Sequence, residues 1–399
     1  MLDPEFITEI GDDAEIVSED LHTAIINQIV KRLTARLGRG EEFSFSATDK
    51  WQIETLQEAG YLADDIRKEI AKHTKTQERV VKKAYESAGI ETTKYDAKVY
   101  RSVGINITAA DITQSPTYIR ILQAAYDQSM QSWNNFTGTT LTQASYKLFV
   151  NECDKAYIKI TSGAESWTKA YMDAVDEVVK KGVRVTYPSG HTDTVETATA
   201  RAIRTGVAQA CSQVTATRAA ENGVHLFLTS AHAGARPTHE PWQGQVFWVD
   251  WKELESRIGI SENLKYSEAT PEEKAKYKEF CRTTDIGTVT GLEGANCRHS
   301  YGAFFEGMSN PYDGMTFDPK MYQIEQRART LERRIRKTKR EIDALDVASA
   351  NTQNKDALDK LKKARESREK TLKRQVTEYY AHCEKYDLKP QEARLKIGN

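Results

Sequence analysis

PKMYQIEQRARTLERRIRKTKREIDAL, residues 319–345, decides the architecture. Ile324, Ala328, Leu331, Ile335, Thr338, Ile342 and Leu345 recur at alternating steps of four and three. That is a heptad seam, and it requires a helix with one side packed on a partner. Polar turn formers from Ser349 to Asn354 interrupt it. Helical spacing then resumes through Ala357, Leu361, Ala364, Leu372, Val376 and Tyr379. Two helices joined by a short polar loop pack most simply as an antiparallel hairpin. Residues 319–399 are therefore expected to form an antiparallel helical hairpin of coiled-coil type.

Upstream, residues 1–182 also read as helical. Between Asp49 and Gly104 the glycines suggest several short helices, one of them capped by Thr76 and stopped by a left-handed Gly89, with Val80, Val81, Ala84 and Tyr85 as its apolar stripe. Ser115 and Pro116 open a longer helix whose expected buried face is Ile119, Ile121, Leu122, Ala125, Met130 and Trp133. A helix pair over 144–160 and 164–181 stops at Gly182. The period then changes. Val183 to Tyr187, Pro188-Ser189-Gly190 and Thr192 to Val195 suggest a β-hairpin, followed by a helix over 196–222, Gly223, and a β-type run Val224–Leu228. The predicted fold is mainly α: a helical N-terminal half (1–182), a small central α+β domain (183–318) and the hairpin (319–399). A chain of 399 residues exceeds what one core usually serves.

Charge is unevenly spread. The net charge is −1, yet Lys320 to Asn399 holds 22 Lys and Arg against 13 Asp and Glu, a balance of +9. The tail is basic and the body acidic. The first thirty residues carry Asp3, Glu5, Glu9, Asp12, Asp13, Glu15, Glu19 and Asp20 and no Lys or Arg, which argues against an export signal. No apolar run approaches the roughly 20 residues that span a bilayer, so no membrane segment is expected. Cys153, Cys211, Cys281, Cys297 and Cys383 are scattered, unlike a disulfide framework, and point to synthesis in a reducing cytosol.

The chemistry concentrates in Thr229–Phe247 and Gly291–Tyr301. His232, His239, Cys297 and His299 offer imidazole and thiolate, the ligand types of zinc, although their spacing matches no standard finger. One reading is a structural zinc that staples two loops; the other is a hydrogen-bonded cluster without metal. A catalytic zinc would also need a base, for which Glu240 is the adjacent candidate. Arg236 and Arg298 have the fork that grips phosphate or carboxylate, or they brace loops through main-chain carbonyls, Glu240 or Glu293. Trp242, Trp248 and Trp251 could stack on bases, but core packing is the favoured reading. Arg333, Arg334, Arg336, Lys337, Lys339 and Arg340 form a basic run, with Lys362, Lys363, Arg365, Arg368, Lys370, Lys373 and Arg374 on the other arm. These could meet DNA phosphates or an acidic protein surface, or form a solvated face.

The segments His232-Ala-Gly-Ala-Arg-Pro-Thr-His239, Trp242-Gln-Gly244 and Gly294-Ala-Asn-Cys-Arg-His299, in that order, resemble the signatures of the phage minor capsid protein 2 family. That family is similar to the wider head-morphogenesis proteins typified by the F protein of phage Mu. The acidic start, helical half, central motifs and basic helical tail extend the resemblance over nearly the whole chain. It implies a low-copy structural protein inside the phage head, near the portal vertex, made in the host cytoplasm. Its implied partners are the portal protein, the major capsid or scaffolding protein, and packaged DNA. It carries over His232, Arg236, Pro237, His239, Trp242, Gly244, Cys297, Arg298 and His299. Where wider relatives have Cys-Arg-Cys, this chain has Cys297-Arg298-His299, an exchange a metal site tolerates. No enzyme is expected, since the chain lacks a nucleotide-binding glycine loop, an acidic quartet for magnesium and a nucleophile elbow. The alternatives are a zinc-dependent hydrolase or nuclease, and a DNA-binding protein acting through the hairpin.

Overall fold

The computed structural model describes residues 1–38, 48–108, 110, 114–187, 189–258, 268–315 and 317–397. It is 72% helical with two small antiparallel sheets, so the chain is mainly α with a small α+β region, as the sequence implies. Among the described residues no helix is long and apolar enough to cross a membrane. The chain divides into two compact units. Unit 1 comprises Met1–Asp13, Glu78–Ser132 and Ala200–Gln326, and unit 2 comprises Ala14–Gln77, Trp133–Thr199 and Arg327–Asn399. These units follow packing. The contiguous segments 1–182, 183–318 and 319–399 follow element type and charge, and remain a proposed division of roles.

In unit 2 the heptad seam does what its spacing requires. Helices Pro319–Asn351 and Lys355–Lys385 are joined by three residues, with the Asn354 side chain capping the second by accepting from the Ala357 N–H at 2.9 Å. Asp346 pairs with Arg365, Glu332 accepts from the Tyr379 hydroxyl, and Arg327 pairs with Glu378. The pair near the loop joins 346 to 365 and the pairs far from it join 332 to 379 and 327 to 378, so the hairpin is antiparallel. Ala328, Leu331 and Ile335 pack with Tyr379, Cys383 and Leu395. Each buried leucine or isoleucine there is worth about 1.5–3 kcal/mol. The helices Thr142–Thr161 and Trp167–Lys181 and the hairpin of β1 (Arg184–Thr186) and β2 (Thr192–Thr194) lie where the sequence puts them. Pro188 of the expected turn, and Gly398 and Asn399 of the tail, lie outside the described residues.

Two expectations are corrected. Residues 49–104 are not several short helices but one of 55 residues, Thr48–Ser102, in which Thr76 is interior. Gly89 does not stop it. A Cβ at position 89 would lie 2.2 Å from the Tyr118 Oη and 2.9 Å from Leu122 Cδ1, so glycine serves the close approach of a neighbouring helix. Ile119 is not on the buried face of helix Pro116–Asn135: it is 55% exposed, whereas Ile121, Met130 and Trp133 are buried.

Unit 1 is organised by the antiparallel sheet β4-β3-β5, with β3 Leu226–Thr229, β4 Val246–Trp248 and β5 Tyr301–Ala303. Leu228 stands opposite Val246 and Thr229 opposite Tyr301. Phe227, Trp242, Trp251, Phe280 and Tyr301 fill the core beneath it. The Trp251 indole N–H donates to the Val224 carbonyl at 3.0 Å, so even its polar edge is satisfied. This is the core reading of the tryptophans. Trp248, half-buried, stacks on His225.

Candidate metal centre

The sheet of unit 1 gathers the motif residues at one end. β3 runs out at Thr229 where β5 begins at Tyr301, and the two chains stay joined by Ser230 N–H to Ser300 O at 2.8 Å and Ser300 N–H to Ser230 Oγ at 3.0 Å. The residues before β5, Cys297 to Ser300, therefore lie against the residues leaving β3. From there the chain makes a short 3-10 turn, Pro237–His239, with Pro237 at its first position, and returns to β4 through Gly244. Gly244 has φ +67, and a Cβ there would come 3.1 Å from Tyr312 Cβ, so glycine is needed twice over. The turn points His239 back toward Cys297 and His299.

Three of the four expected ligands converge. His239 Nδ1 and His299 Nδ1 are 3.3 Å apart, and Cys297 Sγ lies 3.9 Å from the first and 3.6 Å from the second. All three residues are buried. His232 is adjacent but does not join the triangle. Its ring stacks on that of His299 at 4.5 Å, and its Nδ1 has no hydrogen-bond partner among the described residues.

The outer nitrogens fix the tautomers. His239 Nε2 meets the Thr290 carbonyl at 3.0 Å, and a carbonyl can only accept, so the Nε2 carries the hydrogen. His299 Nε2 meets Gln243 Oε1 at 3.2 Å, and that oxygen already accepts from the His232 N–H at 3.1 Å, so it accepts here too. In both rings the proton is outside and the Nδ1 lone pair faces inward. Burial holds both imidazoles below the usual histidine range and pushes the Cys297 thiol up to about 11. The backbone N–H of His299 donates to the sulfur at 3.4 Å.

The other motif residues brace this frame. Arg236 donates to the Ala295 carbonyl at 2.5 Å, and Arg298 donates to the Gly234 carbonyl at 2.9 Å and to Glu325 at 2.6 Å. Each arginine ties the loop carrying one candidate ligand to the loop carrying the others. Arg298 takes Glu325 as its acidic partner rather than Glu293, and Arg236 bonds a main-chain carbonyl. Trp242 is buried edge-on to His299 with ring centroids 4.7 Å apart. Glu240 is exposed, and the buried Glu293, on a left-handed backbone at φ +61, takes its hydrogen bond from Ser212. Gln243 and Thr290 were not legible as partners from their sequence positions.

The basic run splits in unit 2. Arg336 is buried, pairing with Glu15 at 2.9 Å and donating to the Arg394 carbonyl at 2.7 Å. Arg340 pairs with Glu19 and lies 3.5 Å from Glu196, while Lys339 donates to the Leu395 carbonyl. Arg333, Arg334 and Lys337 remain exposed, as do Lys362, Lys363, Lys370, Lys373 and Arg374 on the other arm. Glu19, His22 and Glu196 form a second group with metal-ligand atoms. It is already filled by protein donors: His22 Nε2 accepts from the Val183 N–H, so its Nδ1–H donates to Glu196 at 3.0 Å, and Arg340 faces both carboxylates.

A family model described as phage minor capsid protein 2 matches residues 2–379. No curated protein and no solved structure matches the chain.

Proposed function

Because the chain belongs to the phage minor capsid protein 2 family, structural components of the phage particle, we propose that it sits inside the head at the portal vertex. There it would bind the portal ring and serve head assembly, packaging or ejection, without turning over a substrate. The observation that carries this reading is the extent of the family match, which runs through both compact units. The local chemistry is consistent with it. The central motif residues bond to one another and to main-chain carbonyls, and no carboxylate joins the His239, Cys297 and His299 cluster among the described residues. A hydrolase or nuclease would need such a base within hydrogen-bond reach.

The test is co-sedimentation of the full chain with purified portal rings, and separately with major capsid and scaffolding proteins. Saturable binding to the portal alone supports the placement. Binding to capsid or scaffold with none to the portal overturns it.

A second reading, contact with packaged DNA, rests on the exposed basic face of Arg333, Arg334 and Lys337. Phosphate contacts release counterions, so affinity should fall steeply with salt. Changing those three residues to glutamine in the full chain should reduce the log–log salt slope by up to about 0.9 per lost contact. An unchanged slope excludes this face.

A further inference from the structure

We infer that His239, Cys297 and His299 bind a zinc ion through the two Nδ1 atoms and the sulfur, tying the Pro237–Gly244 turn to the strand-leading segment before β5. The inference does not depend on where in the particle the protein sits. It rests on distances and on lone pairs.

Zinc bonds imidazole nitrogen at about 2.0–2.1 Å and thiolate sulfur at about 2.3 Å in a tetrahedral arrangement. Two nitrogens on such an ion are held about 3.3 Å apart, and a nitrogen and a sulfur about 3.6 Å apart. The protein has 3.3 Å between the nitrogens, and 3.6 and 3.9 Å from the sulfur to each. Three side chains from two loops thus stand at the separations that one tetrahedral ion would impose.

The lone pairs say the same. With each Nε2 hydrogen committed to Thr290 O or Gln243 Oε1, both Nδ1 atoms are acceptors. Two acceptors at 3.3 Å repel, and the single thiol hydrogen of Cys297 can serve only one of them. A hydrogen-bonded cluster without metal therefore leaves one buried nitrogen unsatisfied, which natural interiors avoid. A cation satisfies both nitrogens, and Cys297 gives up its proton to become the thiolate ligand. The outer contacts are those a metal-bound histidine makes: an N–H to a carbonyl oxygen that fixes ring orientation. The His299 N–H on the sulfur does the same for the thiolate. Histidine and cysteine together favour zinc over the hard cations. His232 brings no nitrogen to the triangle, so the expected four-residue set reduces to three.

Full-length protein expressed with zinc and purified without chelator should carry about one zinc per chain by elemental analysis. Cys297→Ser, folded by circular dichroism, should carry far less. After chelation, adding cobalt(II) to the wild-type chain should produce a thiolate-to-metal charge-transfer band. Wild-type protein with neither zinc nor that band overturns the site, and so does a folded Cys297→Ser that keeps full zinc. If the variant does not fold, the cobalt band of the wild type decides alone: present, it supports a thiolate-ligated ion; absent, it removes it.

Discussion

Replacing Arg340 with methionine is expected to cost about 3–5 kcal/mol at neutral pH, the usual penalty for removing one partner of a buried ion pair. Arg340 pairs with Glu19 and stands 3.5 Å from Glu196, and both carboxylates are almost wholly shielded from water. Without the guanidinium, Glu19 keeps Arg336 at 3.5 Å, which it shares with Glu15, and Glu196 keeps His22 at 3.0 Å. Methionine fills similar volume, so the loss is chiefly electrostatic. Burial alone would raise the Glu196 carboxyl, but His22 and Arg340 hold it well below its ordinary 4.5. A carboxylate depressed in the folded state gives stability that is present above pH 4.5 and lost as pH falls through the folded value. Arg340→Met removes part of that depression, so the gap between wild type and variant should be widest near neutrality and narrow on acidification. Urea denaturation with a constant m-value measures it. Adding Glu19→Gln should return part of the loss. A gap below about 1 kcal/mol, or one that does not shrink as the pH is taken well below 4.5, would refute the reasoning.

Four further outcomes are expected. In the helix Thr48–Ser102, Gly60→Ala should stabilise by about 0.5–1 kcal/mol because nothing lies within 4 Å of the new Cβ. Gly89→Ala should instead destabilise by about 1–3 kcal/mol against Tyr118 and Leu122, and thermal melts of the two variants moving the same way would contradict this. Gly244→Ala should cost about 1–2 kcal/mol from its left-handed backbone alone, measured by the same melts. Burial raises Glu293 well above 4.5, so the folded state holds a proton the unfolded chain has released. That contribution is full below pH 4.5 and lost as pH rises through the folded value, so Glu293→Gln should gain on wild type between about pH 5 and about pH 8. Parallel pH–stability curves would exclude a neutral buried Glu293.

What could be read from the sequence was whatever has a period or a special residue. The seam from Ala328 to Leu345 showed the hairpin, Gly182 and Gly223 marked helix ends, and the order of the His and Cys motifs located the cluster. Gly60 and Gly89 misled because a mid-helix glycine costs only about 1 kcal/mol, less than the packing of a long helix returns. Arg336 and Arg340 read as part of a basic run open to DNA, an acidic surface or solvent because their acids, Glu15, Glu19 and Glu196, lie far away in sequence. The tautomers of His239 and His299 depend on a main-chain carbonyl and an amide oxygen. Neither announces itself in a string of residue types.

The chain passes from one compact unit to the other after residues 13, 77, 132, 199 and 326. During synthesis, unit 1 stays without its sheet until β5 has left the ribosome, and unit 2 stays without its paired hairpin until the second arm, Lys355–Lys385, has been made. Neither can finish while the other waits, so the usual order of one domain folding before the next is translated is closed to this protein. Contacts between such distant stretches also form slowly. The newborn chain therefore keeps apolar helix faces uncovered until distant stretches have emerged to cover them.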